Sequence, residues 1–331
     1  MEARFYTRLD GGRVKCTLCP HGCIIPPGKR GRCGVRENIS GVLHSLSYRR
    51  LIAEHVDPIE KKPLYHFLPG SLSYSIATMG CNLSCLHCQN WEISQVKDRV
   101  EGYDVPPGKV VERALDAGCR SISYTYTEPT VFAEYVLECA ELAREAGLKN
   151  VLVTNGFTAP EVVKELAKCT DAANIDLKGF SGEFYRRVCG GRLEPVLESI
   201  RAYHRLGVWV EVTTLLIPGY NDSEEELRGI AEFITGLSRD IPWHVTRFHP
   251  EHRLMHVDPT PVSTLRRARE IGREAGLKHV YIGNVMGEGE DTLCPECGRV
   301  MIRRYGFDVV SNLLADGTCP ACGALIAGVW H

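Results

Sequence analysis

Between residues 72 and 283, short runs of β-branched and aromatic residues alternate with longer stretches in which apolar side chains recur every three to four positions. "LSYSIATM" (72–79) reads as a strand, and "PGKVVERALDAG" (107–118) as a helix closed by glycine. "SISYT" (121–125) precedes a helix over about 129–146, and "NVLVTN" (150–155) one near 159–168. "AANIDLK" (172–178) leads into helical sequence to about 206, "VWVEVTTLLI" (208–217) into a helix near 223–237, and "WHVTRF" (243–248) into one near 260–275. "HVYIG" closes the series. This alternation predicts a parallel α/β architecture with functional residues at the carboxyl ends of the strands. About six strand-helix units plus a seventh strand fall one short of an eight-unit barrel, so a partial, open barrel fits as well as a closed one. Periodicity does not choose between barrel and doubly wound sheet.

The ends break the pattern. Residues 1–70 are rich in Gly, Pro, Arg and Cys, and residues 287–331 begin with "GEGED" and contain two C-P-x-C-G units. The division expected is a Cys-rich N-terminal extension (1–70), a central barrel (71–286) and a two-knuckle tail (287–331), with Gly287 to Asp291 as linker. Thirty-nine basic residues against 41 acidic ones leave a net charge of -2, which offers no footprint for nucleic acid or an acidic membrane. No apolar run is long enough for a bilayer and the N-terminus lacks a signal-peptide core, so a cytoplasmic protein is expected. In that reducing compartment the 15 cysteines read as metal ligands before disulfides. Eleven form three clusters; Cys119, Cys139, Cys169 and Cys189 read as small buried apolar residues.

The central cluster is "CNLSCLHC", a C-x3-C-x2-C pattern of Cys81, Cys85 and Cys88 directly after the first strand. A four-cysteine site is closed, whereas three protein ligands leave an exchangeable position on a metal or on one iron of a cluster. A zinc or ferredoxin-like site with a fourth ligand from elsewhere, His87 or a distant cysteine, is the alternative.

The loop resembles that of radical S-adenosylmethionine enzymes, and the resemblance implies that the three cysteines bind a [4Fe-4S] cluster whose fourth iron is chelated by S-adenosylmethionine. "YTYTEPT" stands where that family carries a Gly-Gly-Glu segment, with Glu128 and Pro129 matching and Thr127 replacing a glycine. "TNG" (Thr154, Asn155), "DLK" (Asp176, Lys178), "IPGYND" and "RFHP" (His249) follow at successive strand ends in an order similar to the pyruvate formate-lyase activating enzyme branch. The flanks "CTLCPHGC…GKRGRCGVREN" and "DPIEKKPLYHFLPG", with the C-terminal knuckles, resemble the radical protein of the AmmeMemoRadiSam system. The resemblance implies a partial (β/α) barrel that cleaves S-adenosylmethionine to methionine and a 5'-deoxyadenosyl radical. Its cofactor contacts would be the backbone around His87, then Glu128, Thr154, Asn155, Asp176, Lys178 and His249. Implied partners are a low-potential donor of ferredoxin or flavodoxin type and Memo-like and AMMECR-like proteins. Two positions depart from the activating enzyme: Val153 replaces an aspartate of a cation site, and Thr213 an arginine. A glycyl-radical activase and a non-catalytic multi-metal scaffold or electron carrier are the competing functions.

Cys294 and Cys297 with Cys319 and Cys322 form two C-x2-C knuckles with 21 residues between them, the spacing of a closed zinc site, although rubredoxin-like iron uses similar knuckles. Cys16, Cys19, Cys23 and Cys33 are expected to hold zinc, with an auxiliary [4Fe-4S] cluster as the alternative and His21 as a reserve ligand. In "DPIEKKPLYHF" a Pro-fixed connector with a solvated lysine pair is favoured over a substrate-mouth role for Lys61, Lys62 and His66.

Overall fold

The computed structural model describes residues 1–96, 99–314 and 316–331. Strands Leu72–Thr78, Ser121–Tyr124, Lys149–Thr154, Ala172–Asp176, Trp209–Leu216, Trp243–Arg247 and Val280–Gly283 lie side by side in chain order, each pair parallel. Because order along the chain equals order across the sheet, there is no reversal point and the doubly wound alternative falls. The outermost strands do not pair, so the barrel is partial and open. Helices Pro107–Asp116, Ala133–Glu145, Pro160–Ala167, Leu193–Arg205, Glu224–Leu237 and Val262–Glu274 fill the connections. Their starts follow local chemistry. Pro107 and Pro160 sit at first-turn positions where no N–H is needed, and Ser223 accepts the Glu226 N–H ahead of three glutamates. Gly272 lets the last helix close on the sheet, since a Cβ there would stand 2.8 Å from Val280 and 3.0 Å from the Trp243 ring.

The sheet begins earlier than residue 71. Arg50–Pro58 pairs antiparallel with Leu72–Thr78, and the short strand Tyr103–Asp104 adds beyond it. Residues 59–68, which link the two long strands, plug the amino end of the barrel. Ile59, Leu64, Phe67 and Leu68 pack with Val151 and Ala172, and the buried Glu211 carboxylate accepts the Tyr65 and His66 N–H groups at 3.0 and 2.8 Å.

The tail docks on this plug. Its antiparallel strands Thr292–Leu293, Val300–Tyr305 and Asp308–Asn312 present the buried Arg304, which donates to Tyr65 O at 2.8 Å, lies 3.5 Å from Glu60 and sits over the Tyr65 ring. The Val329 N–H reaches His66 O at 2.7 Å. Residues 287–291 are themselves packed: Glu290 is buried and Gly289 O accepts the Ile282 N–H. The tail is part of the body, not a tethered module. At the other end, strands Tyr6–Arg8, Val14–Cys16 and Ile24–Ile25 and the hairpin Arg36–Ile39/Val42–Ser45 press against the loop after Leu72–Thr78. Gly80 makes that contact at φ +105°, with Val35 and Cys33 O where a side chain would be.

Candidate active site

Strand Leu72–Thr78 delivers the chain to the carboxyl end of the barrel, where the loop carrying Cys81, Cys85 and Cys88 folds over the sheet edge. The loop is pinned to a turn over Tyr185–Cys189: Ser84 N–H donates to Cys189 O at 2.8 Å and Leu86 N–H to Val188 O at 2.9 Å. Leu83 N–H points to Cys81 Sγ at 3.4 Å, Asn155 Nδ2 to the same sulfur at 3.5 Å, and the Ser94 hydroxyl lies 3.2 Å from Cys88 Sγ. All three thiols line one cavity of about 490 Å³.

The other strand ends complete its wall. Glu128 Oε1 accepts from Thr130 N–H, Thr130 Oγ1 and Thr154 Oγ1 at 3.0, 2.6 and 2.7 Å, whereas Oε2 accepts, among the described residues, only the Asn155 N–H, at 2.8 Å. Burial raises the Glu128 carboxyl, and Oε2 keeps lone-pair capacity for a cationic donor. Lys178 Nζ lies 2.7 Å from Asp176 Oδ2. Burial alone would lower this ammonium, but Asp176 and the nearby Cys85 hold it well above its ordinary range. His87 is buried, pulled down to about 3 by burial and then by Lys178, and among the described residues its Nδ1 has no partner; Thr213 Oγ1 on the same wall has none among them either. Two unpartnered buried polar atoms beside three thiols and a lysine suit a polar ligand.

Two expectations change. His249 is exposed and off the cavity wall, because the Thr260 hydroxyl takes the Phe248 N–H at 2.9 Å and Phe248 turns inward, leaving its neighbour outside. The lysine pair is solvated only at Lys61, whose side chain is 45% exposed. Lys62 is 2% exposed, with Nζ 2.7 Å from Asp57 and 4.6 Å from the Tyr126 ring centre; Lys61 reaches the same carboxylate at 2.8 Å. Tyr126, at φ +61°, donates its hydroxyl to Asp57 as well. Both lysines lie on the cavity wall, whereas His66 does not: it sits between Ala327 O and the Tyr281 hydroxyl, at 2.7 and 2.6 Å. Asp57, Tyr126, Phe307 and Cys189 escaped the sequence reading. An Asp four residues before a Lys was a readable signal for Asp57; nothing local marks Phe307, which enters the cavity from the tail. Cys189 is buried as expected, yet it lies beside Cys85, and this neighbour with Lys178 lowers the Cys85 thiol. Val153 and Thr213, the two departures, both face the cavity.

Of the flanking clusters, the C-terminal four have their sulfurs within 4.8 Å of one another, with Cys294–Cys322 at 3.6 Å and Cys297–Cys319 at 3.8 Å. A tetrahedron with Zn–S of about 2.3 Å requires sulfurs about 3.8 Å apart. Cys16, Cys19, Cys23 and Cys33 line a cavity of their own.

Residues 75–234 match the Radical SAM superfamily. That superfamily implies a [4Fe-4S] cluster and S-adenosylmethionine. Over its whole length the chain is similar to an uncharacterized protein of Methanocaldococcus jannaschii, 48% identical over 98% of both chains. It is 25% identical to the pyruvate formate-lyase 1-activating enzyme of Escherichia coli strain K12, over 61% of this chain and 89% of that one. In fold it is similar to a radical SAM methyltransferase from Sphaerobacter thermophilus, with a TM-score of 0.53 and 17% identity over 66% of this chain and 68% of that one. No helix among the described residues is long and apolar enough to cross a membrane.

Proposed function

We propose that Cys81, Cys85 and Cys88 hold the [4Fe-4S] cluster and that S-adenosylmethionine occupies the cavity they share with Glu128, Asp176 and Lys178. The observation that carries this is the three thiols opening from one loop onto a single cavity with charged groups of both signs opposite. When bound, the reduced cluster supplies the electron that splits the sulfonium into methionine and a 5'-deoxyadenosyl radical able to abstract hydrogen from a substrate. Glu128 Oε2 would accept from the cosubstrate's ammonium, and the Lys178 ammonium would pair with its carboxylate. Neutral His87 supplies an unpartnered Nδ1, and Thr154 and Asn155 hold Glu128 in place. The apolar shoulders of Val153, Leu215 and Phe307 help exclude water.

The substrate end of the cavity is the Asp57, Lys61, Lys62 and Tyr126 group. Val153 and Thr213 stand where the activating-enzyme branch has charged residues, which favours a substrate other than a glycyl-radical enzyme. A one-electron donor of ferredoxin or flavodoxin type is required, and the whole-length resemblance makes Memo-like and AMMECR-like proteins the partners to try first.

One observation favours the scaffold reading: Cys189 lies beside Cys85 and would be the fourth ligand of a closed site. The test is 5'-deoxyadenosine formation by the reduced, anaerobically reconstituted protein. Cys189→Ala should retain it and Cys85→Ala should lose it; a Cys189→Ala protein with half its iron lost, and no cleavage in the parent, would favour the scaffold.

A further inference from the structure

The N-terminal cysteines are built differently from the C-terminal ones. Among the described residues, Cys294, Cys297, Cys319 and Cys322 are the one group of three or more metal-binding side chains whose ligand atoms all fall within 4.8 Å of one another. No three of Cys16, Cys19, Cys23 and Cys33 meet that spacing, and neither do Cys81, Cys85 and Cys88 together. The chain thus carries one set at single-ion spacing and two wider sets, and one of the wide sets is the cysteine triad of the superfamily motif.

The wide N-terminal set does not enclose solid protein. It surrounds a cavity of about 20 Å³, where one water needs about 10–15 Å³ on the same measure. Apolar Leu18, Ile25 and Val131 shield the space, which suits an inorganic core better than water. Arg36, fully buried and ion-paired to Glu134, lines the cavity with its Nε unpartnered, and its charge favours an anionic centre.

We propose that Cys16, Cys19, Cys23 and Cys33 ligate a second [4Fe-4S] cluster, not zinc. A single zinc would require the four sulfurs to collapse to about 3.8 Å separations, filling the cavity, whereas a cubane of four irons holds its thiolates apart. The second cluster is close to the first. Asn82, which follows Cys81, lines the N-terminal cavity, and His21 Nε2 meets Asn82 O at 2.7 Å. That placement suits passage of one electron from an external low-potential donor inward, with no bond made or broken at the second cluster. The proposal rests on the family but not on where S-adenosylmethionine binds.

The test is iron, sulfide and zinc content with Mössbauer and electron paramagnetic resonance spectra of the anaerobically prepared full-length protein. The parent should carry about eight irons and about one zinc per chain. The triple variant Cys81→Ala/Cys85→Ala/Cys88→Ala should keep about four irons in a cluster whose signal ignores S-adenosylmethionine. The pair Cys16→Ala/Cys19→Ala should fall to about four irons and keep the responsive signal. Should the triple variant fail to fold, the parent's content decides alone. About four irons with about two zincs in the parent would overturn the proposal, as would a folded triple variant free of iron. A triple variant that keeps its cluster while the parent cleaves no S-adenosylmethionine would leave this inference standing and remove the proposed function.

Discussion

The two ends of the chain each bring four cysteines, and the structure treats them oppositely. At the C-terminal end two knuckles close their sulfurs to 3.6 and 3.8 Å on an exposed edge of the tail. At the N-terminal end the four thiols stand around a cavity that touches a buried Arg36–Glu134 pair at Arg36 and the central cysteine loop at Asn82. Cysteine count is therefore a poor guide to metal, and sulfur spacing a better one. With a metal bound, the closed set would organise a tail that lacks a large core of its own; the open sets surround cavities.

The comparison can be broken at several points. Cys85→Ala, in an open set, should reduce 5'-deoxyadenosine formation by at least about 1,000-fold while shifting the melting temperature little, because the thiol contributes chemistry rather than packing. Metal removal from the closed set, by a strong chelator or by Cys297→Ser/Cys322→Ser, should do the reverse. Residues 287–331 should become open to proteolysis while the iron-sulfur spectrum survives. If chelation instead bleached the spectrum and left the tail protected, the two assignments would be interchanged. Glu134→Ala strands the buried Arg36 beside the N-terminal thiols and should cost about 3–5 kcal/mol in denaturant unfolding, with Glu134→Gln costing less. Phe307→Ala, where the tail meets the cavity, should change the cosubstrate KM by only about two- to threefold and leave stability within about 0.5 kcal/mol.

Much of this was readable from the sequence where the determining interactions are local. The seven parallel strands fall on their β-branched runs because strands covered on both faces are rich in β-branched and aromatic residues, and the helices begin where Pro107, Pro160 and Ser223 provide the starts. The cysteine loop was readable because its three thiols lie within eight residues. What depends on distant pairing was not. Arg50–Pro58 joins the barrel sheet through its antiparallel register with Leu72–Thr78, which no property of residues 50–58 announces, so the boundary at 70 cuts inside the folded unit. Lys62 reads as a solvated lysine until Asp57 and the Tyr126 ring are brought to it. His249 shares its motif with the family yet faces outward, since Phe248 takes the inward position. Cys189 sits about 100 residues from Cys85 in sequence and beside it in space, a contact only the fold supplies.

The central claim is that the vacancy left by Cys81, Cys85 and Cys88 belongs to S-adenosylmethionine, and electron paramagnetic resonance tests it most directly. The reduced Cys16→Ala/Cys19→Ala protein isolates the central cluster, with spectra recorded before and after addition of S-adenosylmethionine. A shift in the cluster's g-values on addition, lost in Cys85→Ala, is the predicted result. A central cluster whose spectrum is unmoved by saturating S-adenosylmethionine, with no 5'-deoxyadenosine formed, would contradict it and hand the fourth position to the protein.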